Sequence, residues 1–358
     1  MRAAIVGGGI AGLSLAIALE PTGTEVDVFE RERQWTAHGA AIALRPLAVK
    51  ALRRLGVLDG VMAEGRVLDR IRVLTTTGEV ATERMLAFEG EPTVAIHRRA
   101  LQQVLAGRLE RTTVRLGVRP AAITEAGPMV ELSLSSGERI RCDILVGADG
   151  VYSWVRQQLF PDAVTSPTGQ RSWRFCVEGE LTEAWTLVLA SSRYAVAQPL
   201  PGMTYCAAVL GRSASSPDVA ETAVGLRDAF SEFPPPISDV LARVTPATDI
   251  HFGAIHEVSL DRWSEGQVGL IGDAAHALSP IMALGGGLAL EDGVVLAQEL
   301  ERAATPRAAL EAFTARRQPR VDLVRSLAHE RSVTFDGGQH DFNDRDFQRR
   351  AAFLLEDP

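Results

Sequence analysis

The chain has 358 residues, 46% of them hydrophobic and 23% charged, values that exclude global disorder. Its 37 basic and 45 acidic side chains give a formal charge of −8, which leaves no electrostatic footprint for nucleic acid. Cys142, Cys176 and Cys206 lie far apart and form neither a CxxC pair nor a metal-ligand cluster, which argues against dithiol redox chemistry and a metal site.

In chain order, Ala3–Val6 is a short apolar run that ends in Gly7-Gly8-Gly9-Ile10-Ala11-Gly12, and an unbroken apolar stretch follows to Pro21. That pattern predicts a strand, a glycine turn and a helix. Glu25–Glu30 alternates polar and apolar residues and predicts the second strand. Helices are expected over 47–55 and 98–110, and a hairpin from Ile71–Thr77 and Glu79–Leu86 across a glycine turn. Segments 112–118, 129–134 and 139–146 read as strands. From about residue 170 the character changes: Trp173–Glu178, Trp185–Ala190, Tyr194–Pro199 and Thr204–Leu210 predict an antiparallel sheet. A helix over 218–231, a stiff Phe233-Pro234-Pro235-Pro236 connection and a strand at Val268–Ile271 come next. Helices over about 287–302 and 306–332 precede a polar tail beyond Phe335. This order fits an α/β fold in which a doubly wound domain is interrupted by a sheet-rich one.

No signal peptide is visible, since Ala3–Val6 is too short for its apolar core, and the cytosol is the expected compartment. The uncharged stretches 194–211 and 274–290 are interrupted by Pro199, Pro201, Pro280 and a glycine triplet, so neither reads as a membrane span. Lys50 is the sole lysine, so any mechanism that needs a catalytic lysine must use it.

Gly7-x-Gly9-x-x-Gly12 has the strand before it, the helix after it, and Glu30 closing the next strand 18 residues on. In such a unit the first glycine permits a tight turn, the second lets the backbone approach a pyrophosphate, and the third allows close helix–strand packing. The phosphates sit at the helix N-terminus, and Glu30 is placed to accept from adenosine ribose hydroxyls. Three further segments decide which dinucleotide. Cys142–Arg156, with its Asp149-Gly150 pair, resembles the DG motif of the flavoprotein aromatic hydroxylases, the p-hydroxybenzoate hydroxylase-like or class A monooxygenases. Gly269-Leu270-Ile271-Gly272-Asp273-Ala274-Ala275-His276 with Pro280 is similar to that family's second FAD fingerprint, and His97-Arg98-Arg99-Ala100-Leu101 to the segment with its FAD-contacting arginine.

The resemblance spans residues 5 to 300 and implies a Rossmann-like FAD-binding domain over 1–70, 95–168 and 262–302. It also implies an inserted antiparallel-sheet substrate domain over 71–94 and 169–261, and a C-terminal helical region over 303–358. The implied cofactor set is Gly7, Gly9, Ala11, Gly12, Glu30, Arg31, Arg98, Asp149, Asp273, Gly285, Gly286 and Gly287. Within it, Asp273 is expected on a ribityl hydroxyl and Arg98 near the adenosine or pyrophosphate part. Asp149 and Arg156 are expected in a motif serving FAD and nicotinamide nucleotide, with a turn-stabilising role as the alternative for Asp149. His276 is expected to fix its loop. One departure stands out: Ala283-Leu284-Gly285 occupies the place of the family's Gly-Gln-Gly.

The activity implied is hydroxylation of an electron-rich aromatic or polyketide-like small molecule through a flavin C4a-hydroperoxide, with NADH or NADPH and molecular oxygen consumed. A flavin-dependent reductase or dehydrogenase on the same fold is the alternative. A monomer or homodimer is expected, with no nucleic-acid or membrane partner. Catalytic residues cannot be named from the sequence. Arg193, Tyr194, Gln198 and Tyr205 are the polar pocket candidates, Trp173 and Trp185 possible walls, and Arg193 the expected anchor for a phenolate or carboxylate. Strand alternation turns about half of them away from the pocket, and the parity is not readable from sequence.

Overall fold

The computed structural model describes residues 1–35, 41–214, 222–336 and 350. A six-stranded sheet runs in the order Ser264–Glu265, Val268–Leu270, Ile144–Gly147, Arg2–Val6, Glu25–Glu30, Thr113–Leu116. All its pairs are parallel except the short first one. Arg2–Val6 is buried almost throughout, as a strand covered on both faces must be. One face carries the helices Ile10–Leu19 and Gly285–Arg302. The other carries a small antiparallel sheet of Pro120–Ala126, Met129–Leu134 and Arg139–Cys142.

One expected boundary changes here, and one unexpected strand is added. The single strand expected over 139–146 is two strands in different sheets, broken at Asp143. There the Asp143 backbone N–H donates to the Arg2 carbonyl, and its carboxylate accepts from the Arg2 N–H at 2.6 Å. Pro120–Ala126 is a strand that the sequence hides, because its proline, three alanines and glutamate carry little β-propensity.

The second large sheet has seven strands in the order His251–Val258, Thr165–Glu178, Met203–Leu210, Arg193–Leu200, Trp185–Ala190, Arg70–Leu74, Val80–Met85. It is antiparallel apart from one parallel pair, Trp185–Ala190 with Arg70–Leu74, where the early hairpin joins the later strands. Thr165–Glu178 is longer than expected, and its register shifts between Pro167 and Arg171 around Gly169 at φ +82°.

Alternation gives this sheet two distinct faces. Trp173, Phe175, Val177, Ala195, Ala197, Cys206 and Ala208 form one core with Leu226, Phe230, Ile237 and Val240 of the helices Ala223–Phe230 and Ile237–Arg243. The part of the expected 218–231 helix before Thr222 lies outside the described residues. The opposite face presents Trp185, Leu200 and Tyr205 towards Ala41, Ala43 and Ala95 of a small three-stranded sheet, which is built from Ala41–Leu44, Arg66–Leu68 and Thr93–His97.

The last helix runs from Pro306 to Asp336 and continues through Pro319. A mid-helix proline removes one backbone hydrogen bond and costs roughly 3 kcal/mol. Arg317 and Arg320, on either side of it, are both buried in ion pairs to Glu291 that hold the segment in place. The polar tail beyond Phe335 lies almost wholly outside the described residues. No helix among the described residues is long and apolar enough to cross a membrane.

Candidate active site

The glycine turn follows the first strand directly. Gly7 sits at φ +111°, and a Cβ there would lie 2.4 Å from the Ala148 carbonyl oxygen. A Cβ on Gly12 would fall 2.0 Å from the Gly7 carbonyl oxygen, so both positions are closed to any side chain. Gly9 differs: a Cβ there would meet nothing within 4 Å. Two glycines therefore shape the turn, and the third leaves an open cradle before the helix N-terminus, where unpaired N–H groups favour an anion.

Around that cradle the polar groups suit a dinucleotide. The Glu30 carboxylate accepts from the Gly8 N–H at 2.8 Å and the Glu32 N–H at 2.9 Å, which fixes it at the turn with acceptor capacity to spare. Gln102, which the sequence did not single out, donates from Nε2 to the Gly8 carbonyl at 2.9 Å. Its buried Oε1 has no hydrogen-bond partner among the described residues, an orphaned acceptor beside the place for a ribose hydroxyl. The only sequence signal for it was its place one turn after Arg98 on the same predicted helix. Arg98 opens the helix Arg98–Gly107. Arg31 is surface-exposed and pairs with Glu32 at 3.4 Å, whereas Ala11 is buried, its Cβ close under Gly272.

Asp273 begins a short helix after Gly272, which adopts φ +60°. Its carboxylate is exposed and forms no hydrogen bond or ion pair among the described residues, as a ligand-facing group should. The residues on either side are anchored instead. Asp292 accepts from the Gly272 N–H at 2.8 Å and from His276 Nε2 at 2.6 Å. Arg317 donates to Asp292 and to Glu291, both at 2.8 Å, and Arg320 binds Glu291 through two nitrogens. His276 thus ties its loop to a buried charged network. These residues fit FAD: an open cradle at Gly9, an orphaned acceptor at Gln102 and a free carboxylate at Asp273. Replacing Asp273 by Ala should raise the FAD dissociation constant by about tenfold to a hundredfold, since a hydrogen bond to a charged group contributes ~1.5–3 kcal/mol. Titration of apoprotein with FAD, followed by fluorescence quenching, measures it, and unchanged affinity would remove Asp273 from the cofactor set.

The DG motif is engaged within the protein. Asp149 accepts from the Ser153 hydroxyl at 2.5 Å and from the backbone N–H groups of Trp154 and Val155, capping the helix Trp154–Leu159. This is the turn-stabilising alternative. Burial raises the Asp149 pKa even though these hydrogen bonds favour the ionised form. Arg156 is buried and donates to the carbonyls of Ala274 and Val151 and to the Thr165 hydroxyl. It brackets the DG loop, the Asp273 loop and the start of the long sheet strand.

Gly285, Gly286 and Gly287 open the helix Gly285–Arg302, which has no side-chain cap. At Gly286 a Cβ would lie 2.3 Å from the Ile42 side chain, while the space at Gly285 is open. Ala283 stands at φ +51°, a left-handed position where the family pattern has glycine. Arg45 donates to the Met282 carbonyl at 3.4 Å and so braces this loop from the opposite side.

The seven-stranded sheet settles the parity that alternation left open. Tyr194, Gln198 and Tyr205 lie on the face turned away from the two covering helices, with Trp185. Tyr194 is covered there by Phe335, ring edge to face at 4.9 Å. Arg193 and Trp173 face the other way. Arg193 donates to the Ala229 carbonyl and pairs with Glu232, and Trp173 packs on Phe230 and Phe252. The expected anion anchor is therefore a helix tie, placed by a phase of alternation that sequence could not fix. A cation on the pocket face is Arg174, whose electrostatic neighbours include Tyr205, Tyr194, Arg98 and Asp273.

A sequence family described as an FAD binding domain matches residues 1–328. The aurachin C monooxygenase/isomerase of Stigmatella aurantiaca is 33% identical over 330 residues, covering 89% of this chain and 85% of that protein. The 2-heptyl-3-hydroxy-4(1H)-quinolone synthase of Pseudomonas aeruginosa is 30% identical over 338 residues, covering 91% and 87%. Among solved structures, Klebsiella pneumoniae HpxO complexed with FAD and uric acid superposes with a TM-score of 0.85 at 27% identity, covering 99% of this chain and 92% of that one.

Proposed function

Because the chain belongs to the FAD-binding family of p-hydroxybenzoate hydroxylase-like monooxygenases, we propose that it hydroxylates an electron-rich, oxygen- or nitrogen-bearing aromatic small molecule. It is an FAD-dependent monooxygenase that draws electrons from NADH or NADPH. FAD, when bound, accepts hydride and activates molecular oxygen as an electrophile, which a phenol, enol or aniline carbon answers better than an alkane. The observation that carries the substrate reading is the pocket face of the large sheet, where Trp185, Leu200 and Tyr205 are buried against the FAD-binding side of the molecule.

The chain's own contribution is binding, orientation and exclusion of water. Gly9, Glu30, Gln102, Arg98 and Asp273 are the proposed cofactor contacts. The uncapped N–H groups of Gly285–Gly287 at the start of the helix Gly285–Arg302 favour negative charge on whatever lies beside them. Burial pushes the Tyr205 phenol up to about 12, with Arg174 and Arg98 pulling it back only partly. Tyr205 therefore keeps its proton through the neutral range and acts as a hydrogen-bond donor, not as a base. The reaction is tested with isotopically labelled oxygen gas in the presence of NAD(P)H and a panel of phenols and hydroxylated N-heterocycles. One labelled oxygen atom per product molecule is expected. Turnover that incorporates no label, or that proceeds equally well without oxygen, would leave a reductase instead.

A further inference from the structure

Four side chains on the pocket face of the seven-stranded sheet carry a buried polar atom with no hydrogen-bond partner among the described residues. They are Ser172 Oγ, Arg174 Nε, Trp185 Nε1 and Gln198 Oε1. A buried polar atom left unpaired costs about 1–3 kcal/mol, so such a concentration on one face marks a surface completed by a ligand. Gln198 is only 3% exposed. The strand register fixes how these groups are arranged. Cys176, Tyr205 and Gln198 stand opposite one another across three strands, and Arg174 lies one pleat along, opposite Ala207. The small Ala207 side chain leaves room on the sheet between Arg174 and Val196, its partner on the next strand.

Arg174 and Gln198 are two strands and one pleat apart, roughly 12 Å between backbones from two inter-strand spacings and two residues of rise. With both side chains reaching inward, that span fits one aromatic ring with a hydrogen bond at each edge. Arg174 offers only donors and a positive charge, and the unpaired Gln198 Oε1 offers only an acceptor. Tyr205, between them along the face, is neutral and cannot discharge the guanidinium. We infer that Arg174 and Gln198 are the specificity-determining pair of the substrate pocket. The substrate is then a planar ring with an anionic or carbonyl oxygen at one edge and an N–H or O–H donor across the ring from it. This rests on the hydroxylase reading above and narrows its substrate class to rings polar at both edges, of which a 4-hydroxyquinoline in its N–H, carbonyl form is the simplest example. Burial lowers the Arg174 pKa, Arg98 adds to this, and Tyr205, Tyr194 and Asp273 offset it only in part, so an incoming oxygen with negative character relieves an unfavourable charge.

The test uses the FAD-loaded enzyme and reads binding from the change in flavin absorbance, without turnover. The probes are 4-hydroxyquinoline, 1-naphthol, which lacks the ring donor, and indole, which keeps a ring N–H but lacks the oxygen. Wild type should bind 4-hydroxyquinoline at least tenfold more tightly than either of the others. Arg174→Gln should abolish the preference over indole, with Arg174→Lys restoring part of it. Gln198→Leu should abolish only the preference over 1-naphthol. Both variants should keep full FAD content. Equal binding of the three probes by wild type, or preferences that both variants leave intact, would overturn the pairing while labelled-oxygen hydroxylation still stood. Loss of FAD from Arg174→Gln would overturn it too, by showing that the guanidinium serves the cofactor.

Discussion

Gly9→Val should give a folded, colourless protein. The backbone at Gly9 is extended, at φ −81° and ψ −170°, a conformation valine adopts without strain, and no atom stands where its Cβ would go. The apoprotein therefore loses nothing. The valine would occupy the space through which the turn approaches the cofactor's pyrophosphate, and affinity for FAD should fall at least a hundredfold, about 2.7 kcal/mol. Gly12→Val is the contrasting variant. Its side chain meets the Gly7 carbonyl, so the first strand and helix can no longer pack, and soluble folded protein should be lost. Far-UV circular dichroism and bound flavin absorbance separate the two effects. A Gly9→Val protein that purifies yellow would show that this turn does not hold the cofactor.

Arg317→Met should lower stability by about 3–5 kcal/mol, because it strands Glu291 and Asp292 as buried carboxylates without their shared partner. In a chain of this size that corresponds to a fall in melting temperature of roughly 4–7 °C. Arg316→Met, one residue earlier and partly exposed on Glu299, should cost no more than about 1 kcal/mol. A melting temperature equal in both variants would refute the role given to the buried network. The pH dependence has a definite sign. Burial alone would raise the Asp292 pKa, but His276 and Arg317 more than offset it and hold the carboxyl below the usual aspartate range. The folded state then binds fewer protons than the unfolded chain. The contribution of Asp292 is complete above about pH 4 and fades as the pH falls below that.

Elements with a local signature were legible from the sequence, and those set by pairing partners were not. The glycine turn and Glu30 could be read because three glycines, a strand and a helix at fixed spacing have one physical explanation. The break at Asp143 could not, since no glycine or proline separates Arg139–Cys142 from Ile144–Gly147 and only their partners assign them to different sheets. The pocket candidates failed in the same way at Arg193. Arg174 and Arg193 are both cations inside apolar strands, and period two places each on one face or the other only after the register with Met203–Leu210 is known. A signal was present at Arg174: Ser172, Arg174 and Cys176 alternate with Trp173, Phe175 and Val177, and the large apolar set belongs against the helices. Gln102 had no comparable signal, because its role depends on the approach of its helix to the glycine turn.

The two faces of the seven-stranded sheet also separate what evolution can change from what it must keep. Residues that fix the fold and residues proposed to meet the ligand interleave at every second codon along Thr165–Glu178, Arg193–Leu200 and Met203–Leu210. Each of these strands can thus be divided into a half bound to the fold and a half free to change. Drift at positions such as 174, 176, 196, 198, 205 and 207 can retune the pocket while Trp173, Phe175, Ala195, Ala197, Cys206 and Ala208 keep the sheet seated on its helices. A codon library confined to that alternate set would explore new ring systems with little loss of folded clones. The same library shifted by one residue would mostly yield aggregates.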